Sequence, residues 1–170
     1  KSLCYQLPAI ALPNLTLVIS PLLALMQDQL AFLKERGIAA ASIDSMQSKE
    51  QSQQVMHGVR SGEIKILMIS VERLNNERFR QFLQLAVIDE AHCVSEWGHN
   101  FRPDYLKLPK YKKQFNIAQT LLLTATATEK VIADMGSKFD IATENITLTG
   151  FYRNNLNLHV HGISQNEKDN

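Results

Sequence analysis

The chain has 170 residues, 45% of them hydrophobic and 21% charged, with a formal net charge of +1. That length suits one domain with a proper core and is short for two. The near-neutral balance excludes a protein that coats nucleic acid by bulk charge, so any such contact must be built locally.

The first elements alternate in type. Lys1 to Ala11 carries the apolar pattern of a short helix, with Pro8 limiting its regularity. Leu15 to Ile19 is a compact apolar run, expected to be a buried strand. Ser20-Pro21 is expected to open a helix, with Ser as N-cap and Pro in the first turn. Leu22, Met26, Leu30 and Leu33 follow at helical spacing, and Gly37 stands where a C-cap belongs. Ala40 to Ile43 is a short strand. Ser48-Lys49-Glu50-Gln51 has the form of a capping box, starting a helix to about Arg60, before Gly62.

Ile64 to Ile69 is the next strand, followed by Ser70 to Leu74 and a short helix. Leu85 to Ile88 is a further strand, Pro103 to Phe115 a helix with a basic end, and Thr120 to Leu123 another strand. Thr126-Ala127-Thr128-Glu129 has the form of a second capping box, for a helix to about Phe139. Two β-like runs close the chain, around Ile146 to Leu148 and Leu156 to Val160. Strands that alternate with helices and are apolar on both faces imply an α/β domain, with a mostly parallel sheet and helices on both faces.

Chemistry concentrates in one stretch, residues 87–105. The strand ending at Ile88 runs into Asp89-Glu90, at the edge where open α/β sheets bind ligands. An Asp there can hold Mg²⁺ through oxygen, and an adjacent Glu can orient or deprotonate a water. Beyond them Trp97, His99, Phe101 and Tyr105 alternate with polar residues around Arg102, a composition on which nucleic-acid bases can stack. Lys1-Ser2 before a helix matches the end of a phosphate-binding loop, whose Lys reaches the β/γ phosphates and whose hydroxyl holds Mg²⁺. The Gly-rich turn of such a loop would precede Lys1.

These segments together resemble the RecQ family of DNA helicases. Residues 1–8 are similar to the end of that family's motif I and residues 18–29 to motif Ia. Asp89 to His92 spells the DEAH form of motif II, residues 93–105 resemble the aromatic-rich loop of the family, and residues 123–128 resemble motif III. The likeness runs in order from residue 1 to about 160. It implies a RecA-like P-loop NTPase fold: residues 1–150 would be the first motor domain, and 151–170 the start of a connection to a second RecA-like domain.

The resemblance also implies roles. Lys1 and Glu90 would serve ATP, Ser2 and Asp89 the Mg²⁺, and Glu90 would handle the attacking water. His92 would link motif II to Thr124 and Thr126. Trp97, Phe101 and Arg102 would sense single-stranded DNA, while Ser20, Pro21, Leu22, Ser70 and Arg73 would touch the DNA backbone. The implied partners are ATP and single-stranded or partly duplex DNA; the implied work is 3′-to-5′ unwinding in repair and recombination. The sequence departs from the family at Asn100, usually Asp, at Glu96, often Gln, at Val71, commonly Pro, and across residues 151–155.

Two rival readings stand beside this one. One is a catalytically dead P-loop-like module that binds DNA or a protein; the other is a DEAH- or DEAD-type RNA helicase domain. The chain starts at Lys1 rather than Met and ends in a polar, patternless run, Ser164 to Asn170, so it is expected to be a piece of a longer protein, inactive alone. No apolar run approaches the roughly 20 residues that cross a bilayer, which implies no membrane partner. Cys4 and Cys93 match no zinc-ligand spacing and are expected to be small buried hydrophobes in a reducing, cytoplasmic setting.

Overall fold

The computed structural model describes residues 2–44, 46–75, 83–150, 155–157 and 159. Among the described residues five strands form one all-parallel sheet: β1 (Leu15–Ile19), β2 (Ala40–Ile43), β3 (Ile66–Ile69), β4 (Leu83–Ile88) and β5 (Gln119–Leu122), in the order β2-β3-β1-β4-β5. Parallel neighbours need crossovers, and the helices supply most of them. These are α1 (Leu3–Ala11), α2 (Leu23–Glu35), α3 (Lys49–Ser61), α4 (Leu108–Gln114) and α5 (Glu129–Phe139), with 3₁₀ turns at Val71–Asn75, Ala91–Val94, Pro103–Lys107 and Thr143–Asn145.

Strand pleating sorts the core into two layers, because successive side chains point to opposite faces. Leu17, Ile19, Leu67, Ile69, Ala86 and Ile88 face α3, α4 and α5, through residues such as Val59, Leu108, Val131 and Phe139. Val18, Ile66, Met68, Leu85 and Val87 face the other way, onto Tyr5 and Ala9 of α1 and Met26, Leu30 and Leu33 of α2. Double coverage is why these strands are apolar at most positions. Burial fades at the β5 edge, where Thr120 to Leu122 are only half-buried.

Several boundaries differ from the sequence reading. Ser20 does not cap α2: its N–H donates to Ile69 O at 3.1 Å, which keeps it in the ladder, and the helix begins at Leu23. The expected helix from Pro103 is divided, because Pro109 in the first turn of α4 brings no N–H for a longer helix to use. Thr128, not Thr126, caps α5, accepting from Val131 N at 3.4 Å.

Residues 146–150 form no strand, and Leu148 is 70% exposed. Much of the second closing run, including Leu158 and Val160, lies outside the described residues, as do Phe151 to Asn154. The Ser48 capping box is present, with Gln51 N donating to Ser48 Oγ and Ser48 N to Gln51 Oε1. Cys93 is buried but Cys4 is exposed on α1. Among the described residues no helix is long and apolar enough to cross a membrane.

Candidate nucleotide-hydrolysis and nucleic-acid site

An all-parallel sheet brings every strand's C-terminal end to one edge. Ser20, Asp44, Ser70, Asp89 and Leu123 all stand there, directly after β1, β2, β3, β4 and β5. Asp89 N–H donates to Ile19 O at 2.9 Å, so the ladder runs one residue past β4 and holds the carboxylate, 6% exposed, at the rim. Glu90 then adopts φ 48°, ψ 45°. A left-handed glutamate is strained by about 1–3 kcal/mol, and such strain gathers at functional sites. The turn lets Ala91 N–H donate to Leu123 O at 2.9 Å, tying the acid pair to the end of β5.

His92, 3% exposed, is the hub of the next layer. Its Nδ1 lies 2.9 Å from Thr124 Oγ1 and 3.3 Å from Glu90 Oε2. A carboxylate can only accept, so the Glu90 contact favours the tautomer with hydrogen on Nδ1. The His92 ring stacks on His99, with centroids 4.3 Å apart and planes 13° apart. His99 Nε2 in turn lies 3.2 Å from Thr126 Oγ1, and Thr126 N–H donates to Thr124 Oγ1 at 3.2 Å. His92, Thr124 and Thr126 thus lie in a closed circuit that also contains His99, which the sequence grouped with the stacking aromatics and not with this link.

Gly98 makes that stacking possible. A Cβ there would lie 2.3 Å from the His92 carbonyl oxygen, backbone against backbone. The loop is fastened at its base as well: Gly98 N–H donates to Ser95 O, Arg102 N–H to Cys93 O, and Lys138 Nζ, paired with Asp134 at 2.6 Å, to Val94 O.

The aromatic side chains separate by burial. Trp97 is 62% exposed, Phe101 and Arg102 are half-buried, and Tyr105 is fully buried. Tyr105 thus belongs to the core beneath the loop and not to a stacking surface. Burial pushes its hydroxyl far up in pKa, and the oxygen finds no hydrogen-bond partner among the described residues. Burial likewise raises the Cys93 thiol, opposed by the Arg102 guanidinium beside it. Asn100 adopts φ 59°, a left-handed position that Asn and Asp both tolerate, so departure from Asp there preserves the turn.

The remaining predicted residues line the same edge. Ser20 is buried, Pro21 half-buried and Leu22 43% exposed. Ser70 and Arg73 are half-buried, and Arg73 Nη2 donates to Asp44 O at 2.7 Å, joining the ends of β2 and β3. Lys1 lies outside the described residues; Ser2 precedes α1, its carbonyl accepting from Tyr5 and Gln6 N–H. Tyr5 brings α1 next to the acids. Burial raises its hydroxyl to about 12 against a hydrogen bond from Gln6, and the nearby Asp89 carboxylate adds to the rise.

No group of three His, Cys, Asp or Glu side chains that could cage a metal occurs among the described residues. A buried Asp carboxylate beside a serine-led helix instead fits a hard cation held by one carboxylate, a hydroxyl, water and substrate phosphates, the usual manner of Mg²⁺.

Known proteins resemble this chain in sequence and in fold. Residues 1–135 match the family model described as DEAD/DEAH box helicase. The chain is 42% identical over 166 residues to the ATP-dependent DNA helicase RecQ of Bacillus subtilis, covering 94% of this chain and 28% of that protein. It is 41% identical over 161 residues to RecQ of Haemophilus influenzae, covering 92% and 26%. To the putative ATP-dependent DNA helicase Q1 of Caenorhabditis briggsae it is 40% identical over 172 residues, covering 94% and 28%. The chain thus spans little more than a quarter of these relatives. The crystal structure of the Pyrococcus furiosus Hef helicase domain superposes with a TM-score of 0.59 over 82% of this chain and 30% of that one, at 14% identity, a likeness of fold alone.

Proposed function

The chain belongs to the DEAD/DEAH box helicase family, on its RecQ branch, and from that premise we propose that it is the ATP-hydrolysing motor domain of a DNA helicase, coupling Mg-ATP turnover to 3′-to-5′ movement on DNA. In this reading residues 1–150 are the first of two RecA-like units, and the second would supply an arginine finger across the nucleotide cleft.

The observation that carries the proposal is the closed circuit from Glu90 through His92 and Thr124 to Thr126 and His99. It joins the acids that would handle nucleotide to the loop that would handle DNA. Asp89, with the Ser2 hydroxyl, would hold Mg²⁺, which when bound neutralises charge on the phosphates. Lys1 would contact those phosphates. Glu90 would orient or deprotonate the attacking water from its left-handed turn, which the Ala91 N–H to Leu123 O bond holds at the rim. His92 carries the state of Glu90 to Thr124, so a shift at the nucleotide alters the ground on which His99 rests. Trp97, Phe101 and Arg102 would receive a single strand by stacking and charge. The exposed Leu22 and the Ser70–Arg73 turn would line its backbone.

Replacing Glu90 by Gln in the intact protein tests the core of this reading. ATP turnover should fall by two orders of magnitude or more, on the order expected for a general base, while ATP and DNA binding persist. Unchanged turnover would refute it. Comparing single-stranded DNA with RNA as activator separates a DNA motor from an RNA one.

A further inference from the structure

One contact at the aromatic loop serves neither the circuit nor the fastening of its base. Lys130, the second residue of α5, places its ammonium 3.0 Å above the centroid of the Trp97 ring. Both side chains are exposed, so hydrophobic burial does not force them together. Lys130 makes no ion pair among the described residues, so no carboxylate holds it there. A cation seated on an indole face is a specific attraction, about 0.5–1 kcal/mol at an exposed site.

The position of Lys130 in the chain gives that contact meaning. Residues 124–130 make three contacts in this region: Thr124 with His92 in the turn that leads into the loop, Thr126 with His99 in the loop, and Lys130 with Trp97 in the loop. The third contact covers aromatic surface that a nucleobase would use for stacking, and an ammonium and a base cannot occupy one indole face together. We propose that Lys130 is a positioning residue that caps Trp97 when no nucleic acid is bound, and that an incoming base displaces it. This inference rests on the reading of Trp97 as a stacking platform.

Displacement has a second consequence. Lys130 follows the Thr124–Thr126 segment through the Thr128 cap, so a base arriving at Trp97 is felt at the start of α5 as well as through His99. The capped state covers one face of the Trp97 ring. The released lysine is then a mobile cation beside the strand it has admitted.

The test uses two readouts on five proteins: the wild type, Lys130→Ala, Lys130→Arg, Trp97→Ala and the Lys130→Ala/Trp97→Ala double variant. Trp97 is the only tryptophan of the 170-residue chain, so its fluorescence reports the cap directly. Acrylamide quenching should increase in Lys130→Ala and stay near wild type in Lys130→Arg, which keeps a cation on the ring. Binding of a labelled oligothymidylate is then measured by anisotropy. Loss of a lysine charge alone weakens binding equally in either background. Capping predicts that Lys130→Ala is about two- to fivefold more favourable to binding when Trp97 is present than when it is absent.

An identical effect of Lys130→Ala in both backgrounds, or unchanged quenching, overturns the cap while leaving the platform standing if Trp97→Ala weakens binding. If Trp97→Ala leaves binding intact, the platform itself fails and the cap fails with it.

Discussion

Gly98→Ala is the substitution whose outcome the geometry constrains most closely. The added Cβ would sit 2.3 Å from the His92 carbonyl oxygen and 3.2 Å from that of Ser95. The first distance must open to at least 3.0 Å, and both neighbours are backbone. The His92 carbonyl belongs to the 3₁₀ turn Ala91–Val94, whose members are all buried, so that side cannot yield. The loop must therefore move, and the His92–His99 stack with it. Overpacking of this kind costs about 1–3 kcal/mol, or roughly 2–12 °C in melting midpoint for a domain of this size.

Gly58→Ala supplies the control. There the nearest atom, at 2.8 Å, is the Cδ1 end of Ile64, a side chain that can rotate. The helix also gains about 0.8–1 kcal/mol from losing a glycine. Gly58→Ala should thus stay within about 1 kcal/mol of wild type, while Gly98→Ala melts earlier and, in the intact protein, loses stimulation of ATPase by DNA more than it loses basal ATPase. Urea or thermal melts and an ATPase titration with single-stranded DNA measure both. A Gly98→Ala protein with wild-type stability and stimulation would refute the claim that the loop is held by close backbone contact.

Other outcomes follow from the same structure. A double-mutant cycle of His92→Ala and Thr124→Val in the intact protein should show coupling of about 0.5–1.5 kcal/mol in stability; additive effects would mean that the 2.9 Å contact carries no energy. Tyr105→Phe removes a buried hydroxyl without a partner among the described residues, so denaturant melts should show unchanged or greater stability, by up to about 1 kcal/mol. A clear loss would reveal a bond the hydroxyl makes.

Burial raises the Asp134 carboxyl, but hydrogen bonds from Lys138 and Ser95 outweigh it and leave the pKa below the usual value. Its stabilisation is present above the ordinary Asp range, near pH 3.9, and is lost as pH falls through the lowered value. Asp134→Asn should therefore cost about 0.3–0.5 kcal/mol at neutral pH and flatten stability against pH below about 4, as read from melts across that range.

The acid pair and the layer structure were legible in the sequence for a direct reason. Runs such as Leu15–Ile19 and Ile66–Ile69 are buried throughout and apolar at every position but Thr16, and only a strand covered on both faces buries all of them. The strand ending at Ile88 had to deliver Asp89 and Glu90 to the rim, because a carboxylate that costly to bury belongs where the ladder stops. Local chemistry also fixed the Ser48 box, whose two hydrogen bonds span only three residues.

Tertiary structure decided the rest. Alternation along the loop marked Trp97, His99, Phe101 and Tyr105 alike, since period-two spacing cannot tell which side chain meets the core; only packing sent Tyr105 inward and left Trp97 out. Thr126 and Thr128 are equally good caps by sequence, but Thr126 is engaged by His99, 27 residues away, and Thr128 caps instead. Gly98 against the His92 carbonyl and Lys130 over Trp97 are contacts between segments distant in the chain or folded back upon themselves. The sequence by itself determined a parallel sheet with two acids at its rim, because burial and hydrogen bonding along one segment dictate both. How the rim acids reach the aromatic loop was decided only when β5 laid its Thr124–Lys130 extension beside that loop, because such contacts have no local period to announce them.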